Sequence, residues 1–380
     1  MQRGFAQSEF EQRTARAQDR MQAAGIDALL LTTEADVRYF TGFLTRFWES
    51  PSRPWFLVVP QSGKPVAVIP SIGAALMAQT WIDDIRTWRA PNPEDDGVSL
   101  LADTLNSIGA DVIATPMGYE SHLRMPLTDW AQVQSAVQAN IRDDAGIMAA
   151  LRSVKSEAEI AKIEKACTIA GRAFARVQQI AAQGIPLSQV FRDFQRLCLE
   201  EGADWVPYLA GACAHGGYAD VISPAHDVPL AAGDVLMLDT GLVWDGYFSD
   251  FDRNFSVGPA TPATQGAHAK LIDAVEAGAQ IATAGSTAAD VFHAMDAIVT
   301  GGAGGSDAGR LGHGLGMQLT EGLSLIPEDH TVLEAGMVIT LEPGIDVGGG
   351  KILVHEEDIV ITEGAPRFLS PSAGREMGTL

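Results

Sequence analysis

Five side chains in the second half of the chain have the chemistry of metal ligands: Asp239, Asp250, His313, Glu342 and Glu356. Four carboxylates and one imidazole suit two closely spaced divalent cations, because bridging carboxylates hold both ions while water or substrate fills the open positions. Their local settings are VLMLDTG, FSDFDRNF, GHGLG, LEPG and VHEEDIVIT, in chain order. The set predicts a site for two metal ions.

Each of these residues has an ordinary structural explanation when it is taken alone. An aspartate at the end of an apolar run, such as Asp239 before Thr240 and Gly241, commonly forms a turn. A histidine between glycines fits a turn as well, and an acid before Pro-Gly can simply end a strand. The combination of all five, in this order and in these settings, favours metal binding over separate structural roles.

The order and settings of the five residues resemble the pita-bread metallohydrolases, the family of aminopeptidase P, prolidase, methionine aminopeptidase and their metal-free relative creatinase. The resemblance is dense over residues 150–365. It implies that Asp250 and Glu356 bridge two metals, that Asp239 completes one site, and that His313 and Glu342 complete the other. Creatinase-type members have lost these ligands, whereas here all five are present. We therefore expect a metal-dependent hydrolase with two divalent ions, manganese first, with iron, cobalt or zinc as alternatives.

The resemblance also implies a mechanism, in which metal-bound hydroxide attacks a peptide or small amide bond and no Ser or Cys nucleophile is needed. Glu342 is the expected proton carrier as well as a ligand. His226 is the catalytic candidate for stabilising the oxyanion or binding substrate. Because the loop before Asp239 is shorter than in the peptidases, His215 is an alternative that could also bind substrate.

One position departs from the peptidase pattern. Seven residues after the histidine of the GHG motif, peptidases have a second histidine that contacts the scissile group, and this chain has Thr320, followed by Glu321. Threonine can donate a hydrogen bond but cannot carry a proton at neutral pH, so the amide-cleaving apparatus is incomplete.

These residues are compatible with three functions. The first is a hydrolase that resembles Xaa-Pro aminopeptidases and dipeptidases and acts on a dipeptide or a small amide. The second is a non-peptide enzyme of the same fold, either a small-molecule lyase or a creatinase-like amidinohydrolase. The third is a metal-binding interaction protein without activity.

The elements that precede the ligands predict an α+β protein of two domains. In the first part, a helix is expected at residues 8–24, a buried strand at 27–32 and a hairpin around 61–64. The phrase RYFTGF, at residues 38–43, is similar to a segment in the N-terminal domain of creatinase and prolidase relatives. We expect a smaller α/β, creatinase-like domain followed by a pita-bread catalytic domain. Their expected limits are residues 1–145 and 146–380.

The second domain is expected to begin with a long helix. Ser156 followed by Glu159 forms a capping box, and apolar residues then recur at helical spacing as far as Val177. Further helices are expected at residues 267–284 and 288–299. The segment KILVHEEDIVIT is expected to be one strand whose alternation directs Glu356 to the face that holds the metals.

The first domain is also expected to contribute to specificity. In two-domain relatives it dimerises and sends a loop towards the partner's active site, and FLTRFWESPSRPWF suits such a loop. Trp48 and Arg53 could bind substrate by stacking on a cation or clamping a carboxylate. A homodimer is expected on this basis.

Composition excludes several classes of partner. The chain has 380 residues and a formal net charge of −22, which argues against binding to nucleic acid or to an anionic membrane. Its three cysteines lack CxxC spacing, and the N-terminus has no apolar segment typical of a secretory signal. We expect a cytoplasmic enzyme with a small-molecule or dipeptide substrate.

Overall fold

A computed structural model describes residues 3–49, 53–304 and 309–380. The chain divides into two compact units, the first ending at Arg152 and the second covering Ser153–Leu380. Both units mix helices and strands, which confirms the predicted α+β class. No helix in the described parts of the chain is long and apolar enough to cross a membrane.

The first unit is built on a mixed sheet. Its strands are β1 (Ala28–Leu31), β2 (Phe56–Pro60), β3 (Val66–Pro70), β4 (Asp84–Trp88), β5 (Val112–Thr115) and β6 (Asn140–Asp143). Within the described residues they form a six-stranded sheet in the order β4-β3-β2-β1-β5-β6. Strand β2 runs antiparallel to both β1 and β3, so the predicted hairpin is confirmed. The pairs β3-β4, β1-β5 and β5-β6 are parallel.

The helices of the first unit cover this sheet. They are α1 (Gln7–Ala24), α2 (Glu34–Thr41), α3 (Ala74–Met77), α4 (Val98–Ser107), α5 (Leu127–Ala136) and α6 (Ile147–Ser153), with short 3-10 turns at Arg46–Glu49 and Ser71–Gly73. The predicted helix at residues 8–24 is confirmed as α1. One buried cluster joins Leu30 and Val58 of the sheet to Leu101 and Leu105 of α4 and Val133 of α5.

The second unit carries all five predicted metal ligands. Its helices are α7 (Glu157–Phe174), α8 (Leu187–Glu201), α9 (Pro262–Ile281) and α10 (Ala288–Val299), with a 3-10 turn at Val177–Gln179. Its strands are β7 (Trp205–His215), β8 (Asp234–Trp244), β9 (Tyr247–Phe248), β10 (Phe251–Ser256), β11 (Val338–Leu341), β12 (Gly344–Gly348), β13 (Lys351–Val354), β14 (Glu357–Val360), β15 (Arg367–Phe368) and β16 (Gly378–Thr379).

Capping residues set where the helices of this unit begin. The predicted capping box of Ser156 and Glu159 is confirmed at the start of α7. That helix ends at Phe174, so Val177 lies in the following 3-10 turn rather than in the helix. Helix α9 begins before the predicted residue 267, because Thr261 caps it and Pro262 occupies its first turn. The prediction for α10 is confirmed.

The strands of the second unit form three separate sheets in the part of the chain that is described. Strands β16-β10-β8-β7 lie side by side and β9 pairs with β8, while β11-β14-β15 and β12-β13 form two smaller sheets. Helices α9 and α10 pack on β11 and β14 through a cluster that includes Phe292, Met295, Ile339, Leu341 and Ile359.

The expectation of one strand through KILVHEEDIVIT is wrong. The segment contains two strands, β13 and β14, which belong to different sheets and are separated at His355 and Glu356. A matching break separates β11 from β12 at Glu342 and Pro343. The two breaks are joined, since the backbone N–H of His355 donates to the carbonyl of Pro343 at 3.1 Å. Both glutamates predicted as ligands, Glu342 and Glu356, therefore lie where the chain passes from one sheet to the next.

Candidate metal centre

The five predicted ligands all line one cavity of about 360 Å³ in the second unit. Asp239 lies within β8, and Asp250 directly precedes β10. The antiparallel register of these strands pairs Asp239 with Asp252, two residues beyond Asp250. Because side chains alternate along a strand, Asp250 and Asp252 point to the same side, and Asp252 also lines the cavity.

The GHG segment follows the edge of β11, which brings its histidine beside Glu342. The N–H of Thr340 donates to the carbonyl of His313 at 2.7 Å, and the N–H of Glu342 donates to that of Leu311 at 2.8 Å. The glycines on either side are required by close backbone contacts. A Cβ on Gly312 would lie 2.2 Å from the carbonyl oxygen of Thr340, and one on Gly314 would lie 2.0 Å from that of Glu321.

Three of the predicted ligands form a tight cluster. Ligand atoms of Asp250, His313 and Glu356 all lie within 4.8 Å of one another. Nε2 of His313 is 3.4 Å from Oδ2 of Asp250 and 3.9 Å from Oε1 of Glu356. The other ring nitrogen, Nδ1, lies 3.0 Å from the carbonyl of Gly314. A hydrogen on Nδ1 donated to that carbonyl leaves the Nε2 lone pair directed at the carboxylates, as in metal-binding histidines.

Three of the predicted ligand carboxylates have a buried oxygen without a hydrogen-bond partner among the described residues. Oδ1 of Asp239, Oδ1 of Asp250 and Oε1 of Glu356 accept no hydrogen bond from the described residues. Burial, followed by repulsion from neighbouring carboxylates, raises the pKa of these three groups well above the ordinary range. Burial likewise raises the pKa of Glu342. Buried anionic oxygens without donors are costly in a folded protein, and divalent cations would compensate for them. The residues therefore fit the metals that their types imply.

A buried ionic network holds the segment around Glu356. The N–H of Glu356 donates to Oδ1 of Asp252 at 3.2 Å. The imidazole of His355 lies between Asp252 and Glu357, at 3.3 and 3.2 Å, and Arg253 donates to Glu357 at 3.0 Å. Burial opposes the charge on His355, yet its two carboxylate partners prevail and raise its pKa. The pKa of Glu357 falls to about 2 despite its burial, because Arg253 and His355 favour the ionised form.

Asp358 holds the backbone at Asp250. The backbone N–H of Asp250 donates to Oδ2 of Asp358 at 3.0 Å, and the thiol of Cys167 lies 3.1 Å from the same oxygen. Burial raises the pKa of Asp358 well above its ordinary value.

The cysteines Cys167, Cys198 and Cys213 are all unpaired, so none forms a disulfide.

Two cavity residues, Tyr208 and Arg310, were not predicted from the sequence. Tyr208 lies beside Asp239, and burial followed by the charge of Asp239 raises the pKa of its hydroxyl. Arg310 donates from Nη2 to Oγ1 of Thr320 at 3.1 Å. A tyrosine in a strand and an arginine before a glycine-rich turn carry no local pattern that separates them from surface residues. Thr320 was singled out from the sequence, and it lines the cavity as well.

The two candidate histidines of the preceding loop lie elsewhere. His215 is exposed at the end of β7, with its ring against Gly233. His226 is also exposed, its Nδ1 accepts from the N–H of Val228 at 3.3 Å, and its carbonyl accepts from Ser188. Neither is among the described residues that line the cavity. The roles assigned to them stay predictions.

Trp48 and Arg53 are packed within the first unit. The Arg124 guanidinium lies 5.1 Å from the centre of the Trp48 ring, and that of Arg53 lies 5.1 Å from the Phe47 ring. Residues 50–52 of the same segment lie outside the described residues. Whether this loop reaches a partner's site, as the expected homodimer requires, stays a prediction.

Comparison with known proteins agrees with this geometry. The profile of metallopeptidase family M24 matches residues 161–363, and that of the creatinase/prolidase N-terminal domain matches residues 13–154. The peptidase YqhT of Bacillus subtilis is 29% identical over 364 residues, which is 92% of this chain and 94% of the relative. The probable dipeptidase PepE of Mycobacterium bovis is 27% identical over 375 residues, or 95% and 94% of the two chains.

Solved structures share the whole architecture. The dipeptidase PepE from Mycobacterium ulcerans superposes with a TM-score of 0.84 and 26% identity, covering 99% of both chains. The Xaa-Pro dipeptidase from Bacillus anthracis has the same fold, with a TM-score of 0.84 at 21% identity over 98% of this chain and 100% of that one. The predicted arrangement, a creatinase-like N-terminal domain before a pita-bread domain, is confirmed.

Proposed function

The chain belongs to metallopeptidase family M24, and on that premise we propose that it is a two-metal hydrolase of dipeptides or small amides, of the Xaa-Pro dipeptidase type. One observation carries the proposal. Five side chains with metal-ligand chemistry line a single cavity, and three of them have buried carboxylate oxygens without a partner among the described residues. Relatives and structural neighbours that are named as dipeptidases support the same assignment.

The proposed ligand set divides between two ions. Asp250 and Glu356 would bridge them, Asp239 would complete one site, and His313 with Glu342 would complete the other. When bound, such ions act as Lewis acids and lower the pKa of water towards neutrality. Manganese is the first choice, because four carboxylates and one imidazole form an oxygen-rich set, and iron, cobalt or zinc would also fit.

The protein's own groups supply the remaining steps. Glu342 lies at the cavity wall, where its carboxylate can take a proton from attacking water and pass it to the leaving nitrogen. Tyr208 lines the cavity and is protonated at neutral pH, as tyrosine ordinarily is, so its hydroxyl can donate to a developing oxyanion. The cavity of about 360 Å³ suits a dipeptide or a smaller molecule.

Thr320 supports a second candidate, a non-peptide enzyme of the same fold. The resemblance places a histidine at this position in the peptidases, and the hydroxyl of Thr320 is instead bonded to Arg310. A lyase or an amidinohydrolase does not need a proton delivered to a peptide nitrogen from that position. The class of substrate that the metal-loaded protein converts distinguishes the dipeptide hydrolase from the non-peptide enzyme.

The test is turnover by protein stripped with a chelator and reconstituted with manganese. We expect slow hydrolysis of Xaa-Pro dipeptides, because Thr320 stands in place of the peptidases' proton-carrying histidine, and no activity in chelator. Glu342→Gln should lose roughly 100- to 10,000-fold, because general acid–base assistance has that size. Glu363→Gln is the matched control, since Glu363 is exposed outside the cavity. Metal-loaded protein that cleaves no dipeptide but converts a betaine-like or guanidino compound would establish the second candidate instead.

A further inference from the structure

A fifth carboxylate lines the cavity beside the four that the sequence predicts as ligands. It belongs to Asp252, which is 1% exposed. The two oxygens of this carboxylate have different surroundings. Oδ1 accepts from the backbone N–H of Glu356 at 3.2 Å and lies 3.3 Å from Nδ1 of His355. Oδ2 is buried and accepts no hydrogen bond from the described residues. One oxygen of Asp252 is therefore anchored, and the other lacks a partner within the described chain.

The backbone places Asp252 next to one of the predicted ligands. In the antiparallel register of β8 and β10, Asp252 lies directly opposite Asp239. Side chains at opposite positions share one face of a sheet, and their Cβ atoms are about 4.5–5.5 Å apart. Oδ1 of Asp239 is also buried without a hydrogen-bond partner among the described residues. A cation bound by both carboxylates would offset the cost of burying these two oxygens.

A purely supporting role for Asp252 does not account for its second oxygen. Holding the backbone of Glu356 needs one acceptor, and Oδ1 is that acceptor. A buried carboxylate that serves only a hydrogen-bond network normally has both oxygens satisfied. The ring of His355 lies between Asp252 and Glu357, at 3.3 and 3.2 Å, and so fixes the orientation of the Asp252 carboxylate. This arrangement, with one oxygen held and the other directed to an oxygen-rich cavity, is typical of a metal ligand.

We propose that Asp252 is a further ligand of the metal centre and that its Oδ2 binds the ion on the Asp239 side. The proposal rests on the proposed function, because it adds one ligand to the centre assigned there. That ion would then be held by carboxylates alone, from Asp239, Asp252 and the bridging Asp250 and Glu356, whereas the other ion keeps the imidazole of His313. Carboxylates favour manganese, and imidazole suits iron or zinc, so the added acid would make the two sites differ in metal preference.

The experiment is a titration of metal-free protein with manganese, in which the electron paramagnetic resonance signal of the free ion gives the affinity of each site. Asp252→Asn keeps an oxygen that can accept from the N–H of Glu356 but loses the carboxylate. It should weaken one ion by more than the roughly 10- to 100-fold that loss of a partner outside the ligand set costs. His355→Gln removes such an outer partner and should stay within that range. Asp103→Asn, exposed on α4, is the control and should match wild type.

A crystal structure of manganese-loaded wild type tests the same ligand without any substitution. Oδ2 of Asp252 should lie about 2.1–2.3 Å from one ion, between the usual distances for magnesium and calcium. If two ions are bound but Oδ2 lies outside bonding distance of both, or if Asp252→Asn costs no more affinity than His355→Gln, the ligand role is overturned and the proposed function stands. If Oδ2 binds an ion but no dipeptide is cleaved, the ligand role stands and the peptidase activity falls. Wild type that binds no manganese overturns both.

Discussion

Asp239 and Asp250 are both buried acids of one cavity, yet they have different neighbours. Asp250 belongs to the cluster with His313 and Glu356, in which ligand atoms lie within 4.8 Å of one another, whereas Asp239 is outside it and lies near Tyr208. If the cavity holds two ions as proposed, a residue at the centre of the cluster would contact both of them, and one at its margin would contact a single ion. Substitutions of the two should therefore differ in effect.

We expect Asp250→Ala to lose both metals and Asp239→Ala to retain about one ion per chain, since only the first removes a proposed bridge. Elemental analysis of both variants after reconstitution with manganese measures this. Asp103→Ala serves as the control, because Asp103 is exposed on α4 of the other unit. Equal metal content in the two cavity variants would show that the bridging assignment is wrong.

At the scale of elements, the sequence predicted which segments hold the ligands but not how the segments are interrupted. The alternation in KILVHEEDIVIT fits one strand, because the local pattern contains no proline or glycine at Glu356. The break comes from distant residues: Arg253 and Asp252 on β10 pair with Glu357 and His355. The capping box of Ser156 and Glu159 was predicted correctly, because its two residues are three positions apart in the chain. Tyr208 and Arg310 reach the cavity only through tertiary contacts, which no local pattern reports.

The pair of Arg253 and Glu357 should therefore be a large contributor to stability. Its side chains are 12% and 2% exposed, and loss of the arginine would leave the buried carboxylate of Glu357 with His355 as its remaining charged partner among the described residues. We expect Arg253→Met to lower the free energy of unfolding by about 1.5–3 kcal/mol, the size of a hydrogen bond to a charged group. Arg367→Met is the matched control, because its pair with Glu164 is 46% and 47% exposed and exposed pairs contribute about 0–1 kcal/mol. Denaturant unfolding measures both, and equal losses would contradict the role of the buried network.

For the whole molecule, the cavity acids link metal binding to pH-dependent stability. The folded-state pKa values of Asp239, Asp250 and Glu356 are raised, so metal-free folded protein binds more protons than the unfolded chain above about pH 4. The contribution of these three groups to stability is present below about pH 4 and is lost as the pH rises through their folded-state pKa values. The raised pKa of His355 acts in the same direction, and the depressed pKa of Glu357 matters only below about pH 4.5.

Metal-free protein should accordingly become less stable between pH 5 and pH 8. For each group with a raised pKa, the free energy of unfolding should fall by about 1.4 kcal/mol for every pH unit crossed between its unfolded-state and folded-state pKa. Metal-loaded protein should lose this trend, because bound cations favour the ionised carboxylates. Thermal unfolding in chelator and in manganese, at both pH values, gives the comparison. Metal-free protein that gains stability over this range would contradict the link.

The number of metal ions per chain tests the central claim most directly. Wild-type protein reconstituted with excess manganese, dialysed and analysed for metal and protein should hold about two ions per chain, as two bridging carboxylates and three further ligands require. A ratio of one ion or fewer per chain, in protein that is folded and fully reconstituted, would contradict the two-metal hydrolase proposed for this cavity.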